Sequence, residues 1–223
     1  MSRTMLAIAS TLVVITMMGV AGAVGSSLPA DLPLPTHWGL DGRADAFSDK
    51  WTALLLPPGL TAAVSLLFYF IPALEPRRQG LERSQGLYLW GWVALLFMGG
   101  VLQLALVALA LRWAVHAYHL IVAGLGVMLV LIGNQLGKSR SMYLIGLRTP
   151  WTLASEEVWI RTHRLAGKLM VGGGGAMIVA AMLPLPSGPL STVMLAVIAV
   201  AAGVPAVYSY LLWRRERSAQ RSE

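Results

Sequence analysis

Residues 87–136 read LYLWGWVALLFMGGVLQLALVALALRWAVHAYHLIVAGLGVMLVLIGNQL. Two apolar runs, 87–111 and 115–136, are separated only by Arg112, Trp113 and Ala114. A hydrocarbon layer about 30 Å thick takes about 20 apolar residues at a helical rise of about 1.5 Å each. Both runs are long enough, and neither alternates with the period of two that a transmembrane β-strand needs. In lipid a helix satisfies its own backbone groups, so the stretch predicts a transmembrane helical hairpin. Polar side chains inside it are few: Gln103 in mid-run, with Asn134 and Gln135 near the end. Buried amides of this kind are expected to tie helices together.

Working outward, four more runs qualify: 5–24, 51–72, 165–183 and 189–213. The expected fold is therefore an all-α polytopic transmembrane bundle of six spans. Composition agrees: of 223 residues, 57% are hydrophobic and 12% charged, against about 25% charged in a soluble domain. The absence of cysteine excludes disulfides and thiolate chemistry. With the N-terminus taken as cytoplasmic, 14 of the 17 basic residues fall inside, from Arg3 through Arg77, Arg78, Arg83 and Arg140 to Arg221. Only Arg43, Lys50 and Arg112 fall outside. This positive-inside asymmetry puts both termini in the cytoplasm, and accounts for the net charge of +7 without direct nucleic-acid binding. Arg3, the first run and Ala21-Gly22-Ala23 also resemble a signal peptide cleaved after residue 23; the run to Val24 exceeds the usual about 7–15 residues, which favours an uncleaved helix.

Several features within the spans carry expectations. Pro57-Pro58-Gly59 should kink or break the second run, and Gly203 and Pro205 the sixth. A break of this kind can line a transporter site, the reading that would place a small molecule or lipid near Gln103. Gly172–Gly175 should give the fifth helix a smooth packing face. No Asp, Glu, Lys or Arg sits at a span centre, which argues against an ion-coupled pump. Trp51 and Trp113 map to the outer interface; Trp90, Trp92, Trp151, Trp159 and Trp213 map near the inner one, as anchors.

The outer segment, residues 25–50, is turn-rich and acidic. His37, Asp41, Asp45 and Asp49 recur every four residues, as on a helix face, but Gly39 and Gly42 interrupt such a helix. A solvated loop without metal is the expectation, or a surface that touches something outside the cell. His116 and His119 map to the same side.

The inner segment, 137–164, contains GLRTPWTLASEEVWIRTHR at 146–164. Pro150 disfavours helix at Thr149, so a helix should stop there. Thr152 or Ser155 should cap a new one, with Glu156 and Glu157 at its positive end. Glu157, Arg161, Arg164 and Lys168 then form a polar stripe beside Val158, Thr162, Leu165 and Leu169. Arg164 and Lys168 can reach lipid headgroups. Glu156, Glu157 and His163 could serve as acid–base groups, but no HExxH or GxSxG motif accompanies them.

The second half of the chain resembles the SdpI family (SdpI/YhfL type) of bacterial membrane proteins. The residues that carry this are Gly133-Asn134, Lys138, Ile145 to Leu153 (with Gly146, Arg148, Thr149, Pro150, Trp151 and Thr152), Glu157-Val158-Trp159, and Thr162 to Lys168 (with His163 and Gly167). Ser141-Met142 stand where the family has Pro-Asn. The outer segment, with Pro35-Thr36-His37-Trp38, Gly42 and Ser48-Asp49-Lys50, resembles a small domain of unknown function, DUF1648, fused in front. The resemblance implies two regions, 1–86 and 87–223. It implies a non-enzymatic immunity and signalling protein of the bacterial cytoplasmic (inner) membrane, without cofactor, that resists a secreted, membrane-active peptide toxin. It also implies retention of a small cytoplasmic transcriptional repressor at the membrane. The outer loop (Pro35, His37, Trp38, Asp41, Gly42, Lys50) would meet the peptide. The inner residues Asn134, Lys138, Gly146, Arg148, Thr149, Pro150, Trp151, Thr152, Glu157, Trp159, His163 and Gly167 would couple to a partner or hold the helices in register.

Overall fold

The computed structural model describes residues 2–39 and 41–220; Arg221, counted above with the basic residues, lies outside them. Six long helices run back and forth: α1 (Arg3–Ser27), α2 (Lys50–Leu74), α4 (Gln85–Ala110), α5 (Ala117–Leu136), α7 (Glu156–Met182) and α8 (Ser187–Gln220). Each is long and apolar enough to cross a membrane. Two short helices, α3 (Arg78–Arg83) and α6 (Pro150–Ala154), lie at one end, where most of the basic residues gather. A two-stranded antiparallel sheet, β1 (Pro33–Trp38) and β2 (Ala44–Asp49), lies at the other. We refer to the arginine end and the sheet end.

The hairpin is the one sheet among the described residues of an otherwise helical bundle, and it gives the segment expected as a turn-rich loop two paired strands. Pro33 pairs with Asp49 and Pro35 with Phe47, with irregular register around His37. The tight turn is closed by Gly39 N–H donating to the Arg43 carbonyl at 2.8 Å and Gly42 N–H to Gly39 at 2.9 Å. His37 Nδ1 thus meets Asp45 Oδ1 across the hairpin at 2.6 Å. The second strand passes straight into α2, because the Asp49 carboxylate accepts the N–H groups of Trp51 and Thr52 as N-cap.

α1, α2 and α4 pack together, as do α5, α7 and α8, and the α4–α5 contact joins the two groups. The α5–α7 seam is the most extensive. A Cβ placed on Gly133 would lie 2.9 Å from the Gly167 carbonyl oxygen, and one on Gly126 2.7 Å from that of Gly174. Only glycine lets the two backbones come this close. Within the glycine run, Gly174 faces α5 and Gly173 faces Val197 of α8.

Three expectations fail inside the spans. No break interrupts the helices at their prolines: α2 is continuous through Pro57 and Pro58, and α8 through Pro205. One turn on, the Thr61 hydroxyl donates back to the Pro57 carbonyl at 2.7 Å. The buried Gln103 amide does not tie helices together: neither its nitrogen nor its oxygen has a hydrogen-bond partner among the described residues. Trp92 and Trp159 are core residues, 1% and 0% exposed, and not interfacial anchors. Trp92 packs among Phe68 and Tyr88 with ring centroids 6.0 and 6.2 Å away.

Candidate functional site

The inner segment folds into a polar knot at the arginine end. Ser155 caps α7 by accepting the Val158 N–H at 3.2 Å. One turn on, Trp159 donates its indole N–H to Ser139 Oγ at 3.1 Å and stacks on His163 with ring centroids 3.9 Å apart. His163 is fully buried. Its Nδ1 lies 2.8 Å from the Trp159 carbonyl and its Nε2 2.9 Å from the Leu147 amide. A carbonyl only accepts and an amide N–H only donates, so Nδ1 carries the proton and the ring is neutral. Gly146 lies directly over this pair with φ +115°, and a Cβ there would fall 2.8 Å from His163 Nε2 and 2.9 Å from the Trp159 ring. No other residue fits both the backbone and the space.

The next residues carry the chain to α8. Thr149 caps α6 in a capping box with Thr152, at 3.2 and 2.9 Å in the two directions. Thr149 is extended, as Pro150 requires, and Pro150 starts a short helix that Thr149 and not Thr152 caps, because the first helical position needs no N–H. Thr152 also donates to the Leu147 carbonyl at 2.8 Å, and the Thr149 hydroxyl meets Ser209 of α8 at 3.1 Å. Trp151 packs edge-on against Tyr210 and Trp213.

Sequence reading missed the residue that anchors the knot from the first half of the chain. Glu75, just past α2, is 2% exposed. Its carboxylate accepts three backbone N–H groups: Arg77 at 3.0 Å, Tyr143 at 2.9 Å and Leu144 at 2.8 Å. Arg77 donates to Ser141 Oγ and to the Leu153 carbonyl, and lies over the Tyr143 ring. Ser84 accepts the Arg140 N–H at 2.7 Å. The available signal was an acidic residue followed by a proline at the end of an apolar run.

Not every predicted inner residue joins the knot. Asn134, Lys138, Arg148 and Glu157 are exposed. Arg148 donates to the Tyr143 carbonyl, Glu157 pairs with Arg161 at 2.8 Å, and Gly167 serves the α5–α7 seam. The postulated acid–base set is dispersed. Glu156 accepts the Ser141 N–H at 3.2 Å, Glu157 faces Arg161, and both His163 nitrogens are committed.

The sheet end is built differently. A cavity of about 1060 Å³ opens between the α4–α5 turn and the α7–α8 turn, lined by Trp38, His116, Tyr118, His119, Leu183 and Pro186 among others. The imidazoles of His116 and His119 have centroids 5.2 Å apart. The hairpin reaches across to form one edge: buried Gly42, at φ +73°, sits so close that a Cβ would meet Ser187 at 2.8 Å and Ser191 and Tyr118 at 2.9 Å. Tyr118 and Ser191 are themselves joined by a 2.6 Å hydroxyl contact. Of the predicted outer residues, Trp38 lines the cavity and Gly42 docks the hairpin. His37 points to Asp45, and Asp41 accepts the Arg43 N–H. Pro35 lies in β1, and Lys50 is buried, donating to the Leu28 carbonyl at 2.7 Å.

Comparison with known proteins adds a family context to this geometry. Residues 138–209, which contain most of the knot, match the model of the SdpI/YfhL protein family. Residues 12–70, which contain the hairpin, match that of the domain of unknown function DUF1648. The chain is 26% identical to the immunity protein SdpI of Bacillus subtilis (strain 168) over 188 residues, covering 84% of this chain and 86% of that protein. No solved structure matches it. It is thus a multi-pass membrane protein similar to an immunity protein.

Proposed function

We propose that this protein is a non-enzymatic immunity protein of a bacterial inner membrane, with both termini cytoplasmic and the sheet end outside. In this reading the chain has two regions, 1–86 and 87–223, and the sheet-end cavity receives a secreted, membrane-active peptide. The observation that carries it is the hairpin bridging both regions. Trp38 from the first and His116, His119 and Pro186 from the second line one aromatic and apolar cavity. Such a surface suits a peptide that partitions into membranes, since amphipathic aromatic rings contact both apolar and polar groups at a bilayer interface.

The arginine end supports the complementary half of the reading. Its motif residues mostly satisfy one another, so their first role is to hold the two regions in register. The exposed groups Asn134, Lys138, Arg148 and Glu157 lie on the surface that would face a small cytoplasmic repressor.

A protection assay tests this. The chain is expressed in a cell lacking its own immunity protein and challenged with a secreted killing peptide of the type the resemblance implies. Survival with wild type, lost in Trp38→Ala and in His116→Ala/His119→Ala at matched membrane level, supports the cavity. Undiminished survival in both variants removes the cavity from the reading. Death with the correctly inserted wild-type chain overturns immunity to that peptide.

A further inference from the structure

A second cavity, of about 570 Å³, lies at the arginine end beside the knot, lined by Arg77, Arg78, Arg83, Arg140, Ser141 and Glu156 with Pro76, Gln79 and Gly80. Its walls come from three places: the segment between α2 and α4, the loop after α5, and the start of α7. Four arginines and a single carboxylate line it. That carboxylate is already engaged, with Glu156 Oε2 accepting the Ser141 N–H at 3.2 Å and Oε1 3.9 Å from Arg140 Nε. Arg77 is fixed by its bonds to Ser141 and Leu153. Arg78 and Arg83 are exposed and have no hydrogen-bond or ion-pair partner among the described residues.

We propose that this cavity is a phosphate-binding site. Guanidinium is planar, permanently charged and matched to two phosphate oxygens at once, so convergent arginines with spare donors select phosphate. The excess positive charge excludes cations, and the polar lining offers little to an apolar ligand. Position points the same way. The cavity joins the end of one spanning helix, Leu74, to the start of the next, Gln85, which is the level of lipid headgroups. Phosphate could come from an anionic phospholipid headgroup or from solution. The chemistry is shared, and the site is independent of the peptide cavity at the opposite end.

The test uses the full chain purified in a zwitterionic detergent. Native mass spectrometry measures binding of phosphatidylglycerol against phosphatidylcholine, and thermal stability is followed with inorganic phosphate against chloride at equal ionic strength. The Arg78→Gln/Arg83→Gln variant should weaken the response by about tenfold or more, the equivalent of one charge-assisted hydrogen bond. Arg214→Gln/Arg215→Gln, which removes the same charge from the far end of α8, should leave it unchanged. Glu156→Gln, which keeps an acceptor for Ser141 but removes the opposing charge, should strengthen it, a gain that a damaged fold does not produce. Preference for phosphatidylglycerol without a response to inorganic phosphate identifies a lipid headgroup. A response to inorganic phosphate identifies a soluble source. Equal binding of both lipids with no phosphate effect, or equal losses in the two double-arginine variants, overturns the proposal.

Discussion

The two ends of the bundle solve opposite problems with similar residues. At the arginine end a histidine, a tryptophan, a glutamate and a positive-φ glycine are packed until almost every polar atom has a partner. At the sheet end a tryptophan and two histidines line about 1060 Å³ of open space, and a positive-φ glycine docks the hairpin against Tyr118, Ser187 and Ser191. The same residue types therefore do not mean the same role. His163 has both nitrogens bound and is fully buried, whereas His116 is exposed at the cavity rim. Satisfied polar groups hold a structure, and groups left open to a cavity are available to a ligand.

The sharpest way to break this comparison is at Glu75. Glu75→Ala leaves three N–H groups without their acceptor and should lower stability by about 3 kcal/mol or more, read by equilibrium unfolding in detergent. A loss under about 1 kcal/mol means that the knot does not clamp the two regions. Next comes His163→Leu, which keeps the bulk but strands the Leu147 amide. It should cost about 1–3 kcal/mol, while His163→Gln, able to accept that proton, should lose less. Equal losses would make the ring's packing, not its acceptor, the important feature.

The two positive-φ glycines compare the ends directly. Gly146→Ala should cost about 1–3 kcal/mol of global stability, against no loss for Gly188→Ala, where a Cβ meets nothing within 4 Å. Gly42→Ala should act locally. It lifts the hairpin from Tyr118 and Ser187, speeds hydrogen exchange at residues 33–49, and leaves global unfolding within about 1 kcal/mol. Matching global losses at Gly42 and Gly146 would show that the hairpin is as structural as the knot.

The smallest effect concerns pH. The Thr52 side chain and the backbone N–H groups of Thr52 and Trp51 hold the Asp49 carboxyl below its ordinary 3.8. Its stabilisation of the start of α2 is thus complete above that value and lost as pH falls through the lowered one. Asp49→Ala should lower the melting temperature slightly at neutral pH and converge with wild type in stronger acid. A constant difference at all pH values would assign the effect to something other than the charged cap.

Hydropathy made the six helices legible, and the amphipathic start of α7 was legible from its stripe of Glu157, Arg161, Arg164 and Lys168. The capping serine of α7 was also in view. The hairpin was not. His37, Asp41, Asp45 and Asp49 have a helical spacing that proline and glycine only partly contradict, and the pairing of β1 with β2 depends on Gly39 and Gly42 closing the turn. The buried state of Trp92 and Trp159 was equally hidden, because tryptophan near a helix end is compatible with both an interface and a core.

By itself, then, the sequence determined that this chain has six helices long enough to span a bilayer, because about 20 apolar residues in hydrocarbon must bond their own backbone. It also determined where the positive charge collects. Only the tertiary structure decided which polar groups are occupied and which are available. Glu75 finds its acceptor role 68 and 69 residues away, and Gly42 finds Tyr118 and Ser191 across the bundle. A hydrogen bond or a close contact needs its partner within a few ångströms, and that proximity comes from how the helices pack.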